Sequence, residues 1–289
     1  HDERLPESEK YIATAGINIA INIVDIGNGH PNLYKITLYN NNETRKLTAI
    51  STGGGMIEVI AIDDVKVSMA GDFFETLIYC KDPENIIAFL KASISYDNIE
   101  FHKGEISFIE IKSQAFLDEA IYKELLAMEA VLFIKQLQPV LPVMARNNLE
   151  VPFITCNEMV EYNAGKNKAL WELAVDYEMA RGNISGPEVF EKMRNIIHVM
   201  GNAIQLGLKG THYEDRILGS QSLQFKENWE ANKLVSGETN NRIIMYVSAM
   251  MEVKSSMGVI VAAPTAGSCG ALPGALFGTA HAVQLHEDE

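Results

Sequence analysis

Cysteine is scarce in this sequence, and its spacing excludes two classes of protein. Only Cys80, Cys156 and Cys269 occur among the 289 residues, far apart and without a C-x-x-C pair. Such spacing matches neither a disulfide framework nor a self-contained zinc site. So few cysteines also suit a reducing compartment, and we therefore expect a cytoplasmic protein.

Basic residues are in the minority. The chain has 24 Lys and Arg against 38 Asp and Glu, which gives a formal net charge of -14, and it has no Lys- or Arg-rich run. A surface with this charge does not attract phosphate backbones or anionic lipid. We therefore expect neither nucleic acid nor a membrane as a partner.

Long apolar runs are missing as well. The most apolar N-terminal segment, YIATAGINIAINIVDI, contains Asn18 and Asn22 and follows the acidic HDERLPESEK, so it is unlike a secretory signal. No run reaches the roughly 18 apolar residues that a membrane-spanning helix needs. The sequence begins with His1 rather than Met, and we expect it to be a fragment of a longer chain.

Short extended patterns fill residues 33 to 112. Turn formers such as the glycines at 53–55 separate β-branched or aromatic runs, namely LYKITLY, KLTAIS, MIEVIAI, VKVSMA, FFETLIYC and ISFIEI. One helix interrupts them, with Asp82 as its N-cap, Pro83 in its first turn and ENIIAFLKA behind. This half predicts a small, mainly antiparallel sheet with one or two helices on a face.

The period becomes helical after residue 113. We predict helices at 115–138, at 168–181 with Gly182 as the C′ glycine, and at 241–263. A further helix begins at a capping box of Ser185 and Glu188. It carries an apolar stripe that predicts core at positions 189, 190, 193, 196, 197, 200, 203 and 204.

The two patterns together predict the α+β class, with a mainly antiparallel N-terminal domain followed by an all-α domain. We place the first domain at 1–112, a helix and connector at 113–150, and the helical domain at 151–289.

The loop APTAGSCGALPG, at 263–274, places Cys269 among small residues after a buried helix. Small residues let the backbone approach a ligand closely, and N–H groups at the start of the next helix could hold a carboxylate. A thiolate there would bind a metal or react, whereas in a tight turn Cys269 would pack as a small apolar residue. Lys254, Ser255 and Ser256 interrupt the preceding helix, so they must find partners inside the fold.

Two other segments are weaker candidates. The TGGG run at 52–55 predicts a bend between strands rather than a phosphate loop, because neither a helix nor a Lys follows it. The polar segment 210–222 either lines an active site or is a solvated loop with an ion pair, and it contains His212, Glu214, Asp215 and Arg216.

Several segments together resemble one known family. MEVKSSMGVIVAAPTAGSCGALPGAL resembles the α-domain signature of iron-sulfur-dependent L-serine dehydratases (L-serine ammonia-lyases), in which an A-P-T-x-G-x-C-G loop supplies one cysteine to a 4Fe-4S cluster. GPEVFEKMRNIIHVMGNAIQLGLKG is similar to the helix and glycine before it, and GHPNLYKITL with ISTGGGMIEV resembles the family's β domain, whose fold is like an allosteric substrate-binding domain. The resemblance runs from about residue 28 to the end and is most specific at the Cys269 loop.

The resemblance implies a lyase of amino-acid degradation and gluconeogenesis that converts L-serine to pyruvate and ammonia. Three thiolates would hold the cluster and leave one iron open as a Lewis acid, while a base removes the α-proton and hydroxide leaves. By position, Cys269 would be a cluster ligand. Thr265, Gly267 and Ser268 would lie near the substrate carboxylate. Lys254 and Ser255 join them as candidates for binding the substrate, and we expect a homo-oligomer.

The sequence departs from the family pattern at the other ligands and at the base. The family's remaining cluster cysteines lie downstream of the last residue here, Glu289, while Cys80 and Cys156 match no ligand. The family's S-S-H-T segment, a source of a proposed base, is absent. We therefore expect the other ligands beyond Glu289, assign no catalytic base, and predict that residues 1–289 alone are inactive.

Three alternatives stay open. The chain could belong to a related lyase that acts on another β-substituted amino acid such as cysteine. It could instead be a non-catalytic amino-acid-binding protein whose β-rich half senses the ligand. Pyridoxal phosphate chemistry would have Lys254 as its best-placed lysine.

Overall fold

The computed structural model of the chain describes residues 4–25, 27, 29–141, 143–214, 219–263 and 265–285. The chain divides into two compact units. The first unit comprises His1–Gly27, Gly53–Gly55 and Glu191–Glu289. The second unit comprises Asn28–Thr52 and Met56–Phe190. Both domain boundaries placed from the sequence, at 112 and 150, fall within the second unit.

Most strands precede most helices along the chain, which confirms the α+β class. The strands are β1 Leu33–Tyr39, β2 Thr44–Gly53, β3 Met56–Ile62, β4 Val65–Met69, β5 Phe74–Cys80, β6 Asn98–His102, β7 Phe108–Ser113 and β8 Val131–Leu137. The helices are α1 Ser8–Thr14, α2 Glu84–Ser93, α3 Glu119–Ala127, α4 Cys156–Asn163, α5 Leu170–Gly182, α6 Gly186–Leu208, α7 Ser222–Glu230, α8 Glu238–Ser255 and α9 Ala271–Ala282. Among the described residues, no helix combines the length and the apolar character that crossing a membrane requires.

The strands form two four-stranded sheets, in the orders β1-β2-β3-β4 and β6-β7-β5-β8. All three pairings within the second sheet are antiparallel. The succession β5, α2, β6, β7, α3, β8 is the βαββαβ arrangement of ferredoxin-like folds. The predicted bend at the glycine run is confirmed, since Gly53, Gly54 and Gly55 all have positive φ.

The two central strands of the second sheet, β5 and β7, are buried on both faces because their side chains alternate between two cores. On one face, Ile78, Ile109 and Ile111 pack with Ile86 and Leu90 of α2. On the other face, Leu77, Tyr79 and Phe108 pack with the inward residues of β4, which are Val65, Val67 and Met69. Double burial explains why β5 reads as a nearly continuous apolar run.

The helix predicted over 115–138 is wrong in its second half. α3 stops at Ala127, and VLFIKQL at 131–137 forms β8, which pairs with β5. A short apolar run has no distinctive period, and β-branched and aromatic residues favour a strand in such a run. β6 was not predicted, although its sequence NIEFH alternates polar and apolar residues as a strand does.

The start of α6 follows the prediction, whereas its core stripe does not. The Glu188 carboxylate accepts hydrogen bonds from the Ser185 N–H at 2.8 Å and from its hydroxyl at 2.7 Å. Phe190, Met193 and Ile196 are nevertheless exposed, and burial begins only at Met200. Periodicity identifies the apolar face of a helix, but it does not tell how much of that face other elements cover.

Two helix ends differ from the prediction by their backbone geometry. α8 ends at Ser255 rather than at 263, because Met257 turns left-handed with a φ of 58°. The Gly258 N–H donates to the Val253 carbonyl at 2.9 Å, which is the long bond of a Schellman motif. At the end of α5, Asn183 rather than Gly182 takes the left-handed conformation.

The start of α2 also differs from the prediction. This helix begins at Glu84, and its N-cap position is occupied by Pro83 rather than Asp82.

Candidate functional site

The loop before Cys269 is held by its own hydroxyl groups. Thr265 caps a short 3-10 turn, Ala266–Ser268, by accepting a hydrogen bond from the Ser268 N–H at 3.3 Å. The Ser268 hydroxyl donates to the Ala263 carbonyl at 2.6 Å and accepts from the Thr265 N–H at 3.2 Å. These bonds fix the turn, and they leave Thr265 and Gly267 exposed to solvent.

Cys269 itself lies at the base of this turn and is fully buried. Burial raises the pKa of its thiol, and the Lys254 ammonium acts in the opposite direction by favouring the thiolate. Full burial agrees with the interpretation in which Cys269 packs as a small apolar residue. The Lys254 ammonium agrees with the other interpretation, in which Cys269 is a reactive or metal-binding thiolate.

A ladder of glycines, in and just before α9, packs closely against α8. A Cβ on Gly270 would lie 2.9 Å from Met251 Cγ, and one on Gly274 would lie 2.7 Å from the Val247 backbone nitrogen. One on Gly278 would lie 2.9 Å from Ile243 Cα. The spacing of four residues places these glycines on one helix face, so the two backbones meet without side chains between them.

The sequence analysis missed this ladder. Its signal is the pattern G-x-x-x-G-x-x-x-G at positions 270, 274 and 278, which is visible in the sequence. Small residues at this spacing permit the close packing of α9 on α8.

Lys254 and Ser255 occupy the last turn of α8 and are partly buried. Of these two residues, Lys254 interacts electrostatically with Cys269, because its ammonium group acts to lower the pKa of the thiol. Ser256 caps the helix end, and its hydroxyl is buried with no hydrogen-bond partner among the described residues.

Glu252 anchors the same part of α8 and was not singled out from the sequence. Its buried carboxylate accepts hydrogen bonds from the backbone N–H groups of Gln221 at 2.6 Å and Ser222 at 2.7 Å, and from the Ser222 hydroxyl at 2.7 Å. A carboxylate suits the N-terminus of α7, where backbone N–H groups have no helical partners. The only sequence signal was a lone acidic residue inside an apolar helix.

The thiols do not by themselves make a cluster site. Cys80 is buried in the core of the second unit, and Cys156 is exposed at the start of α4 in that unit. Cys269 is therefore the single cysteine of the first unit. Iron-sulfur clusters are typically held by about four cysteine ligands, so the residues described here do not suffice for a 4Fe-4S cluster.

The polar segment 210–222 was a weaker candidate. His212 and Glu214 are exposed. Asp215 and Arg216, with which they were grouped, lie outside the described residues.

Comparison with known proteins shows what the C-terminal region resembles. The model of the serine dehydratase alpha chain family matches residues 165–289. The probable L-serine dehydratase alpha chain of Bacillus subtilis (strain 168) is 29% identical over 125 residues, which are 43% of this chain and 42% of that relative. The L-serine dehydratase alpha chain of Peptoniphilus asaccharolyticus is 25% identical over 123 residues, 42% of each chain.

A beta chain matches as well. The probable L-serine dehydratase beta chain of Bacillus subtilis (strain 168) is 28% identical over 132 residues, which are 43% of this chain and 60% of that relative. The matches thus span 42% to 60% of the length of these relatives. The family model covers the whole Cys269 loop, so residues 165–289 are similar to the serine dehydratase alpha chain in the region that contains this loop.

Proposed function

We propose that this chain belongs to an L-serine ammonia-lyase, which dehydrates and deaminates L-serine to pyruvate and ammonia. The observation that carries the proposal is that the alpha-chain family match includes the loop in which Cys269 lies beside Lys254. L-serine is the proposed substrate, and the cytoplasm is the proposed location. The proposed assembly is an oligomer of this chain.

The cofactor we propose is a 4Fe-4S cluster with Cys269 as one ligand. One thiolate is too few to hold it, so the other ligands must come from outside the described residues. When bound, a cluster of this kind supplies a Lewis acid. Lys254 would help Cys269 to ionise, since a cation lowers the cost of forming a thiolate.

The exposed face of the turn is the proposed substrate site. Thr265 and Gly267 present it to solvent, while Ser268 holds its shape through the Ala263 carbonyl. We propose that the first two lie near the substrate carboxylate and that Lys254 and Ser255 contribute from the end of α8. We assign no residue as the base.

Cysteine substitution in the parent protein tests the proposal. The protein that contains this chain with its natural flanks would be reconstituted with iron and sulfide without oxygen, and pyruvate formation from L-serine would be measured. We expect Cys269→Ala to lose both the cluster absorbance and the pyruvate. Cys156→Ala, which removes an exposed thiol elsewhere, should keep both.

The proposal is contradicted if the intact parent protein binds no cluster and forms no pyruvate from L-serine. It is also contradicted if the Cys269→Ala variant keeps full activity. Competition between L-serine and L-cysteine as substrates distinguishes an L-serine ammonia-lyase from a related lyase that acts on another β-substituted amino acid. If the parent protein binds L-serine by calorimetry, equally well with and without Cys269, and forms no pyruvate, it is an amino-acid-binding protein instead.

A further inference from the structure

The second unit brings four ionisable side chains to one face of the sheet that contains β5, β6 and β7. Glu100 on β6 is directly opposite Glu110 on β7. His102 follows Glu100 by two residues, so both point to the same face. One ligand atom from each of these three residues lies within 4.8 Å of the other two.

Glu110 and His102 are already in contact. Both are buried, and His102 Nε2 lies 2.6 Å from Glu110 Oε2. The imidazole stacks on Phe108, with ring centroids 5.0 Å apart, which fixes its plane. The other Glu110 oxygen accepts no hydrogen bond, and the nearest cation, Lys112 Nζ, is 3.5 Å from it.

Glu75 is the observation that points to a missing cation. It lies on β5, opposite Lys112, and is therefore a diagonal neighbour of Glu110 on the same face. Only 1% of Glu75 is exposed, and neither of its carboxylate oxygens has a hydrogen-bond partner among the described residues. Burying two neighbouring carboxyl groups in this way is costly unless a cation lies close to them.

We propose that Glu100, His102 and Glu110 bind one divalent transition-metal ion, with Zn²⁺ as the best match to these donors. An imidazole nitrogen with carboxylate oxygens is a ligand set that Zn²⁺ accepts, and three protein ligands leave the fourth tetrahedral position to water. His102 Nε2 and Glu110 Oε2 separate from their 2.6 Å contact when the ion binds both. The buried Glu75 carboxyl is a neighbour of the ligand Glu110 and is not itself a ligand. Glu100 is exposed, so the ion has a path from solvent.

Charge supports a divalent ion here. The two charges of the ion balance the carboxylates of Glu100 and Glu110. The Lys112 ammonium donates to the Ser68 carbonyl of β4, which holds it beside the site rather than in it. This site lies in the second unit and does not depend on the lyase activity proposed above.

Metal titration of the 289-residue chain tests the site. The chain would be stripped with a chelator and titrated with Zn²⁺ by calorimetry and with Co²⁺ by visible absorption. We expect one ion per chain, bound equally well by Cys269→Ala because the thiol is not a ligand. Glu100→Gln should weaken binding by at least about 10–100-fold, the loss seen when even an outer partner of a metal ligand is removed.

The matched control is Glu105→Gln, the same change at an exposed residue between β6 and β7. It should bind like the unmodified chain. His102→Ala serves as a second variant, with circular dichroism to show that it folds. The proposal is overturned if the unmodified chain binds no ion, or if Glu100→Gln and Glu105→Gln bind equally well.

Discussion

At the scale of single residues, the buried Glu75 carboxyl makes the stability of its unit depend on pH. Burial, and then the neighbouring Glu110, raise its pKa from 4.5 to about 8. The folded state therefore holds this proton more tightly than the unfolded state does. The resulting stability is fully present below about pH 4.5 and is lost as the pH rises from there through 8, a loss on the order of 5 kcal/mol.

Glu75→Gln should remove this dependence, because an amide stays neutral throughout the range. Hydrogen exchange of the β5 peptide, followed by mass spectrometry with a chelator present, measures the local free energy of opening. We expect that free energy to fall between about pH 5 and pH 9 in the unmodified chain and to stay flat in the variant. Glu105→Gln should keep the fall, and equal profiles for Glu75→Gln and the unmodified chain would contradict the assignment.

At the scale of elements, the packing of α9 on α8 positions the Cys269 loop. A Cβ on Gly274 would lie 2.4 Å from Val247 Cγ2 as well as 2.7 Å from the Val247 backbone, so the helices must separate to accept it. We expect Gly274→Ala to destabilise the first unit by about 1–3 kcal/mol, the usual cost of overpacking, and to be seen as a lower melting temperature.

Gly219→Ala is the matched control for this change. Its Cβ would meet nothing within 4 Å, so the same substitution has room there. We expect its melting temperature to stay close to that of the unmodified chain. If both variants melt alike, the glycine ladder does not set the spacing between α8 and α9.

The elements that sequence reasoning predicted are those whose own residues carry the pattern. β1 to β5 alternate or run apolar between turn formers, and the Ser185–Glu188 pair marks the start of α6. β8 was mistaken for helix because its run of apolar residues fits either state. The predicted core stripe of α6 included Phe190 and Met193, which are exposed. Their burial depends on whether other elements pack against that part of the helix, and the helix sequence does not contain this information.

The candidate sites likewise divide into those marked by neighbouring residues in the sequence and those formed only by the fold. The Cys269 loop was found because its residues are contiguous, and Lys254 because a charge stood out in an apolar helix. The cluster of Glu75, His102 and Glu110 was not found. Its members lie on three strands, and only the register of the sheet brings them to one face.

At the scale of the whole molecule, the division into two units predicts two unfolding steps. The first unit has its own core around Ile204, Tyr246 and Met250. The second has two cores on the faces of its ferredoxin-like sheet. Units with separate cores need not unfold together, so calorimetry should show two transitions rather than one.

The variants described above assign the transitions. Gly274→Ala changes only packing within the first unit, so it should lower one melting temperature and leave the other in place. Glu75→Gln should change the pH dependence of the other transition alone, because its surroundings belong to the second unit. A single transition, shifted by both variants, would mean that the two units unfold as one cooperative structure. In that case the pH dependence set by Glu75 would also act on the stability of the Cys269 loop.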